Sequence, residues 1–148
     1  MNFGSSFGIS ASALTAQRLR MDVISSNIAN AETTRASVVD GKAVPYRRKM
    51  VVLEAVQSSK FSDILNNKMN GGSRGVKVQA ITEDASPLKP VYNPSHPDAD
   101  ENGYVYMPNV DVTKEMVDML SASRSYEANV TMLNASKAMV SKGLEIGR

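Results

Sequence analysis

The chain has 148 residues, no cysteine and one histidine, and 17 Lys+Arg stand against 15 Asp+Glu for a net charge of +2. Thiolate metal sites, disulfides, cysteine nucleophiles and histidine-rich metal centres are therefore excluded. So small a basic excess argues against a protein that lives on phosphate contacts with nucleic acid, and no apolar run approaches the roughly 18 residues of a membrane-spanning helix.

Near the N-terminus Ala13-Leu14 soon meets Arg18 and Arg20, so the apolar stretch of a secretory signal is missing. Ser10 or Ser12 can cap a helix predicted to run to about Asn30. Phe7, Leu14, Met21 and Ile28 recur every seven residues, and Ser10, Gln17, Ile24 and Ala31 form a companion row that is only partly apolar. Asn27 and Asn30 can cap the helix end or hydrogen-bond between subunits there, because Asn tolerates left-handed backbone.

The period then changes. Pro45-Tyr46-Arg47-Arg48-Lys49-Met50-Val51-Val52-Leu53 reads as a turn into a strand. Val76-Lys77-Val78-Gln79-Ala80-Ile81 alternates as a half-buried strand does, and Tyr104–Met107 is a third short strand. Residues 66–75 form a polar, Gly-rich loop. Pro87, Pro90, Pro94 and Pro97 hold residues 87–97 extended.

The C-terminal third carries the strongest signal. Asp111 can cap a helix with Glu115 in its first turn, and no Pro or Gly follows until Gly143. One apolar row is Val112, Met119, Tyr126, Leu133 and Val140; a second is Met116, Ser123, Val130, Lys137 and Leu144, broken at Ser123 and Lys137. A helix over residues 111–146 is about 54 Å long at ~1.5 Å per residue. A compact globule of this size is only roughly 38 Å across, so another long helix must cover the stripe.

These readings predict an α+β chain. Long N- and C-terminal helices (1–34 and 111–148) pair as a coiled-coil-like bundle around a small β-rich middle (35–110), and the molecule is elongated. Leu14, Met21, Ile24 and Ile28 are expected to pack inward from the first helix. Met119, Tyr126, Val130, Leu133 and Val140 are their counterparts on the last. The N-terminal helix covers only part of its partner, which leaves apolar surface for other subunits.

Chemistry-bearing motifs are weaker. Asp98-Ala99-Asp100-Glu101-Asn102-Gly103 matches the first six positions of an EF-hand loop, which frames an alternative reading as a calcium-responsive binding module at 98–103. The match fails at position twelve, where Asn109 cannot supply a bidentate carboxylate, so the bland reading is a solvated acidic turn. His96, between Ser95 and Pro97, permits a Ser-His-Asp hydrolase on residue type alone, but nothing resembles a nucleophile elbow. Gly71-Gly72-Ser73-Arg74-Gly75 lacks the ending of a P-loop. Arg47-Arg48-Lys49 is short and reads as a solvated strand face. Met116, Met119, Met132 and Met139 suit an adaptable packing surface. No catalytic residue, metal ligand or cofactor site is predicted, and no small-molecule substrate.

Two blocks carry a resemblance. Ser12-Ala13-Leu14-Thr15-Ala16-Gln17-Arg18-Leu19-Arg20-Met21-Asp22, with Asn27-Ile28-Ala29-Asn30-Ala31 and Thr33-Thr34, resembles the bacterial flagellar rod and hook axial protein family. Val91-Tyr92-Asn93-Pro94-Ser95-His96-Pro97-Asp98-Ala99-Asp100, then Gly103-Tyr104-Val105 and Met107-Pro108-Asn109-Val110, is similar to the proximal-rod branch of that family. Tyr46-Arg47-Arg48-Lys49, Glu115-Met116, Arg124 and Tyr126-Glu127-Ala128-Asn129 extend the likeness. Ala13 departs from a frequent Gly, and residues 57–75 carry little of the pattern. The resemblance implies a structural component of the flagellar basal-body rod, without enzyme activity. It implies export through the flagellar type III apparatus without a cleaved signal peptide, and helical assembly in the periplasm-spanning rod to transmit torque. The implied partners are the chain itself, other rod proteins, and the export gate or membrane ring at the rod base, with no direct membrane insertion.

Overall fold

The computed structural model describes residues 3–39, 42–56 and 75–146. Helix α1 spans Phe3–Ala29 and helix α2 spans Val112–Ile146. Between them lie β1 (Ser37–Val39), β2 (Lys42–Val44), β3 (Lys49–Ala55), β4 (Val76–Glu83), β5 (Lys89–Tyr92) and β6 (Tyr104–Met107). They pair as three two-stranded antiparallel units, β1 with β2, β3 with β4 and β5 with β6. Two terminal helices around a small strand-built middle is the layout that the change of period predicts.

The details differ. Helix α1 is already formed at Phe3, well before the expected caps. Ser12 lies inside the helix, where its hydroxyl donates to the Ile9 carbonyl (2.7 Å) and accepts from the Val76 amide (3.2 Å). Strands β1, β2 and β5 were not legible from the alternation of residues. Each is short, and β5 contains Pro90, which an edge position tolerates. Residues 66–74 of the expected Gly-rich loop lie outside the described residues.

At the start of α2 the expected cap forms: Asp111 Oδ1 accepts from the amides of Thr113 (3.0 Å) and Lys114 (3.4 Å). Helices α1 and α2 pack against each other. Asn27 Nδ2 meets Glu115 Oε2 at 2.9 Å and Arg20 meets Asp118 at 3.8 Å. One residue number falls as the other rises, so the two helices run in opposite directions.

The covered side of α2 is set by Glu115, Met119, Ala122, Tyr126, Asn129, Leu133, Ser136 and Val140, in alternating steps of four and three. The row through Met119 is the expected one from that residue onward; Val112 at its start is exposed. The companion row is not. Met116 is 61% exposed and Leu144 73%, whereas Ala122 is 1% exposed. The row is Glu115, Ala122, Asn129 and Ser136, one residue earlier than apolarity suggested. Ala122 and Ser136 are small, which lets helix axes approach to about 8 Å, whereas Glu115 is buried through its pairing with Arg48 and Asn27.

Helix α1 is covered on two sides, by α2 and by the β3–β4 hairpin. That is why Ala16, Val23, Ile24 and Asn27 are all buried, a wider set than one heptad seam needs. The hairpin is tied to α1 at both ends: the Val76 amide to Ser12, and Lys49 to Asn27. Fifteen residues separate Ser12 from Asn27, about 22 Å along a helix. Strand β3 spans about 20 Å, so the hairpin lies along the helix. Gly75 allows the close approach, since a Cβ there would sit 2.0 Å from Ser12 Oγ. Register in the hairpin shifts between Val52 and Leu53, a bulge that adds twist.

Candidate functional site

Four stretches of sequence meet where α1 ends and α2 begins. From α1 comes Asn27, 1% exposed, with all four of its amide hydrogen-bond positions filled. Its Nδ2 donates to the Lys49 carbonyl (2.8 Å) and to Glu115 Oε2 (2.9 Å). Its Oδ1 accepts from the Lys49 amide and the Tyr46 hydroxyl, both at 2.9 Å. On β3 the Asn27 amide thus stands in for a neighbouring strand. From α2 comes Glu115, also 1% exposed. Its Oε1 accepts from Arg48 Nε (2.6 Å) and forms an ion pair with Arg48 Nη2 (2.6 Å).

Arg48 reaches Asp118 at 3.5 Å and Asp84 at 3.6 Å as well. Its backbone amide donates to Asn109 Oδ1 (2.8 Å), and Asn109 Nδ2 holds the carbonyls of Asp84 and Ser86. Burial pulls the Arg48 guanidinium down, but the carboxylates of Glu115, Asp84 and Asp118 outweigh it and hold it above its ordinary value. A buried carboxylate is thus matched by a fork of donors, the arrangement that makes burial of charge tolerable. The charged groups of the cluster pair with one another, so it acts as a clasp, and its chemistry is structural.

The expected helix-packing residues divide. Ile24 is buried within the chain, and Leu14, Met21 and Ile28 are half-buried on α1. Met119, Tyr126, Val130, Leu133 and Val140 are half-buried on α2. Asn27 and Asn30 are both engaged inside the chain. Asn30 Nδ2 donates to the Ser26 carbonyl and its Oδ1 accepts from Thr33, which closes the end of α1. Away from α1, Met116, Val117, Leu120, Met132, Met139 and Leu144 of α2 are all exposed.

The chemical candidates resolve into structure. Asp98 accepts from Thr34 (2.9 Å) and from the Arg35 guanidinium, so the first carboxylate of the EF-like turn is taken. Hydrogen bonding to Arg35 and Thr34 holds its carboxyl below the usual carboxylate range. Among the described residues no group of three or more His, Asp or Glu side chains gathers to hold a metal ion. His96 Nδ1 accepts from the Asp98 amide (3.1 Å) and the Ser95 hydroxyl bonds to Asn93, so no Ser–His pair is built. In the basic triplet, Arg48 is in the clasp, Arg47 reaches the Asp84 carbonyl and Lys49 lies 5.7 Å over the Tyr46 ring. Sequence reasoning missed Arg48, Tyr46, Asn109 and the burial of Glu115. The signals were an Asn inside a helix and a Glu one step off an apolar row.

Both helical ends match models of flagellar rod proteins. Residues 7–36 match the "Flagella basal body rod protein" model, and residues 101–146 match "Flagellar basal body rod FlgEFG protein C-terminal". Both ends of the chain are therefore those of a flagellar basal-body rod protein. The chain is 60% identical over 146 residues to the flagellar basal-body rod protein FlgC of Bacillus subtilis, covering 97% of each chain. It is 46% identical to FlgC of Borreliella burgdorferi, covering 99% of this chain and 98% of the relative, and 46% identical to that of Salmonella typhimurium, covering 96% of each. The chain belongs to the FlgC family of flagellar basal-body rod proteins. It is a structural rod component and not an enzyme. Among the described residues no helix is long and apolar enough to cross a membrane.

Proposed function

We propose that this chain forms part of the proximal rod by stacking its helix pair, coiled-coil-like and elongated, against those of neighbouring subunits in a helical array that transmits torque. The observation that carries the reading is the outward apolar surface of α2. Met116, Val117 and Leu120 lie within about a turn of one another, and Met132 and Met139 share a face seven residues apart, all exposed. A helix with apolar residues on the side away from its partner has a second partner. A head-to-tail contact that does not close on itself generates a helical array.

Leu14, Met21, Ile28, Met119, Tyr126, Val130, Leu133 and Val140, half-buried in the single chain, then complete their burial in the rod, while Ile24 belongs to the chain's own core. Its neighbours are copies of itself and other rod proteins, and the export gate or membrane ring at the rod base is a further contact. Delivery is through the flagellar type III apparatus.

The test is a Met132→Glu/Met139→Glu variant expressed in a strain lacking its own copy. Both side chains are exposed, so the purified variant keeps the helicity and melting temperature of the parent. Rods are expected to stop short and swimming to fail. Normal rods built from this variant would remove the α2 surface from the account.

A further inference from the structure

We infer that the pair of Arg48 with the buried carboxylate of Glu115 is a positioning device: it selects one arrangement of α2 on the unit formed by α1 and the β3–β4 hairpin, and it adds little to stability. The inference goes beyond the rod role and is read on the purified chain, so it stands or falls apart from that role.

The seam itself discriminates poorly between arrangements. Among the described residues the buried apolar positions of the two helices are few, Ala16, Val23 and Ile24 on α1 and Ala122 on α2, and only Ile24 among them is large, so few interlocking side chains favour one arrangement over another. The hairpin, by contrast, is fixed to α1 twice, at Ser12 and at Asn27. What remains free is α2. Asn109 tethers the segment that enters it but leaves its direction open. Direction is set one turn later. Glu115 must place one oxygen on Asn27 of α1 and the other on the guanidinium of Arg48, the residue just before β3. Arg48 then takes Asp118 a turn further along α2. Donors from two separate parts of the chain, α1 and the residue before β3, satisfy a single buried carboxylate on α2 in one geometry, and any other geometry leaves that charge without them. Charge buried in this way repays its desolvation at best, so its retained value is uniqueness.

The experiment replaces both charges by apolar groups of similar size, Arg48→Met/Glu115→Leu, and keeps Asn27 on Lys49. Spin labels on Lys77→Cys in β4 and Ala135→Cys in α2, both exposed, report the distance between hairpin and helix. The chain has no cysteine of its own, so the labels are unique. With the native pair the distance distribution is narrow. With the apolar pair the distribution widens at least twofold, while the melting temperature falls by no more than about 6 °C, the loss that the missing Asn27–Glu115 bond accounts for by itself. An apolar variant as narrow as the parent would overturn the inference, since packing alone would then fix α2. So would a variant that widens while its melting temperature falls further than that, because the pair would then be an ordinary stabilising contact. A broad distribution in the parent chain also overturns it.

Discussion

Replacing Asn27 by Asp changes almost no volume and reverses half of its hydrogen bonding. The Oδ1 side is unaffected: the Lys49 amide and the Tyr46 hydroxyl still find an acceptor. The Nδ2 side becomes a carboxylate oxygen 2.8 Å from the Lys49 carbonyl and 2.9 Å from Glu115 Oε2. Two donors are lost, and two negative charges face each other at a residue 1% exposed. A bond to a charged partner contributes about 1.5–3 kcal/mol and a neutral one about 1 kcal/mol. The loss alone is therefore ~3 kcal/mol, with repulsion added. For a chain of this size each kcal/mol moves the melting temperature by about 2–4 °C, so Asn27→Asp is expected to melt about 10 °C below the parent. Urea and thermal unfolding followed by circular dichroism measure the change. Equal stability of Asn27→Asp and the parent would refute the reasoning.

Other expectations rest on single features. Gly103 has φ +78°, and a Cβ there meets Tyr92 at 3.0 Å, so Gly103→Ala should cost about 1–3 kcal/mol in thermal unfolding. Gly75→Ala drives a Cβ into Ser12 and should release the hairpin end from α1, seen as faster amide exchange at Val76 and its neighbours. The carboxyl of Asp98 titrates below its ordinary value in the folded chain. Its contribution is therefore fully present above the ordinary Asp range of about 3.9 and is lost as pH falls below that through the folded value. Amide shifts of Thr34 and Arg35 should hold steady down to that range and move only in stronger acid; movement at or above the ordinary value contradicts the ion pair.

How much of this was legible depended on whether burial went with apolarity. Asp111 and the row from Met119 to Val140 obey that link, so the start of α2 and half of its covered side could be read directly. Ala122, Asn129 and Ser136 do not, because close helix packing selects small side chains, and the companion row was therefore placed one residue late. Strands β1 and β2 are too short for alternation to register. The Asp40-Gly41 dipeptide between them was the available signal, since Asp-Gly favours a tight hairpin turn. The clasp was invisible for a different reason. Asn27, Arg48 and the pair Asn109 and Glu115 come from three distant stretches, and no local period or spacing joins them. Arg47-Arg48-Lys49 looked like a solvated basic face because sequence cannot show that its middle residue meets a buried carboxylate.

The central claim, a structural place in the basal-body rod, is tested most directly by clean in-frame deletion of the gene, scored by electron microscopy of isolated basal bodies together with swimming. The account predicts membrane rings without a completed rod or hook, lost motility, and restoration of both by the intact gene. Normal basal bodies and normal swimming in the deletion strain would contradict it.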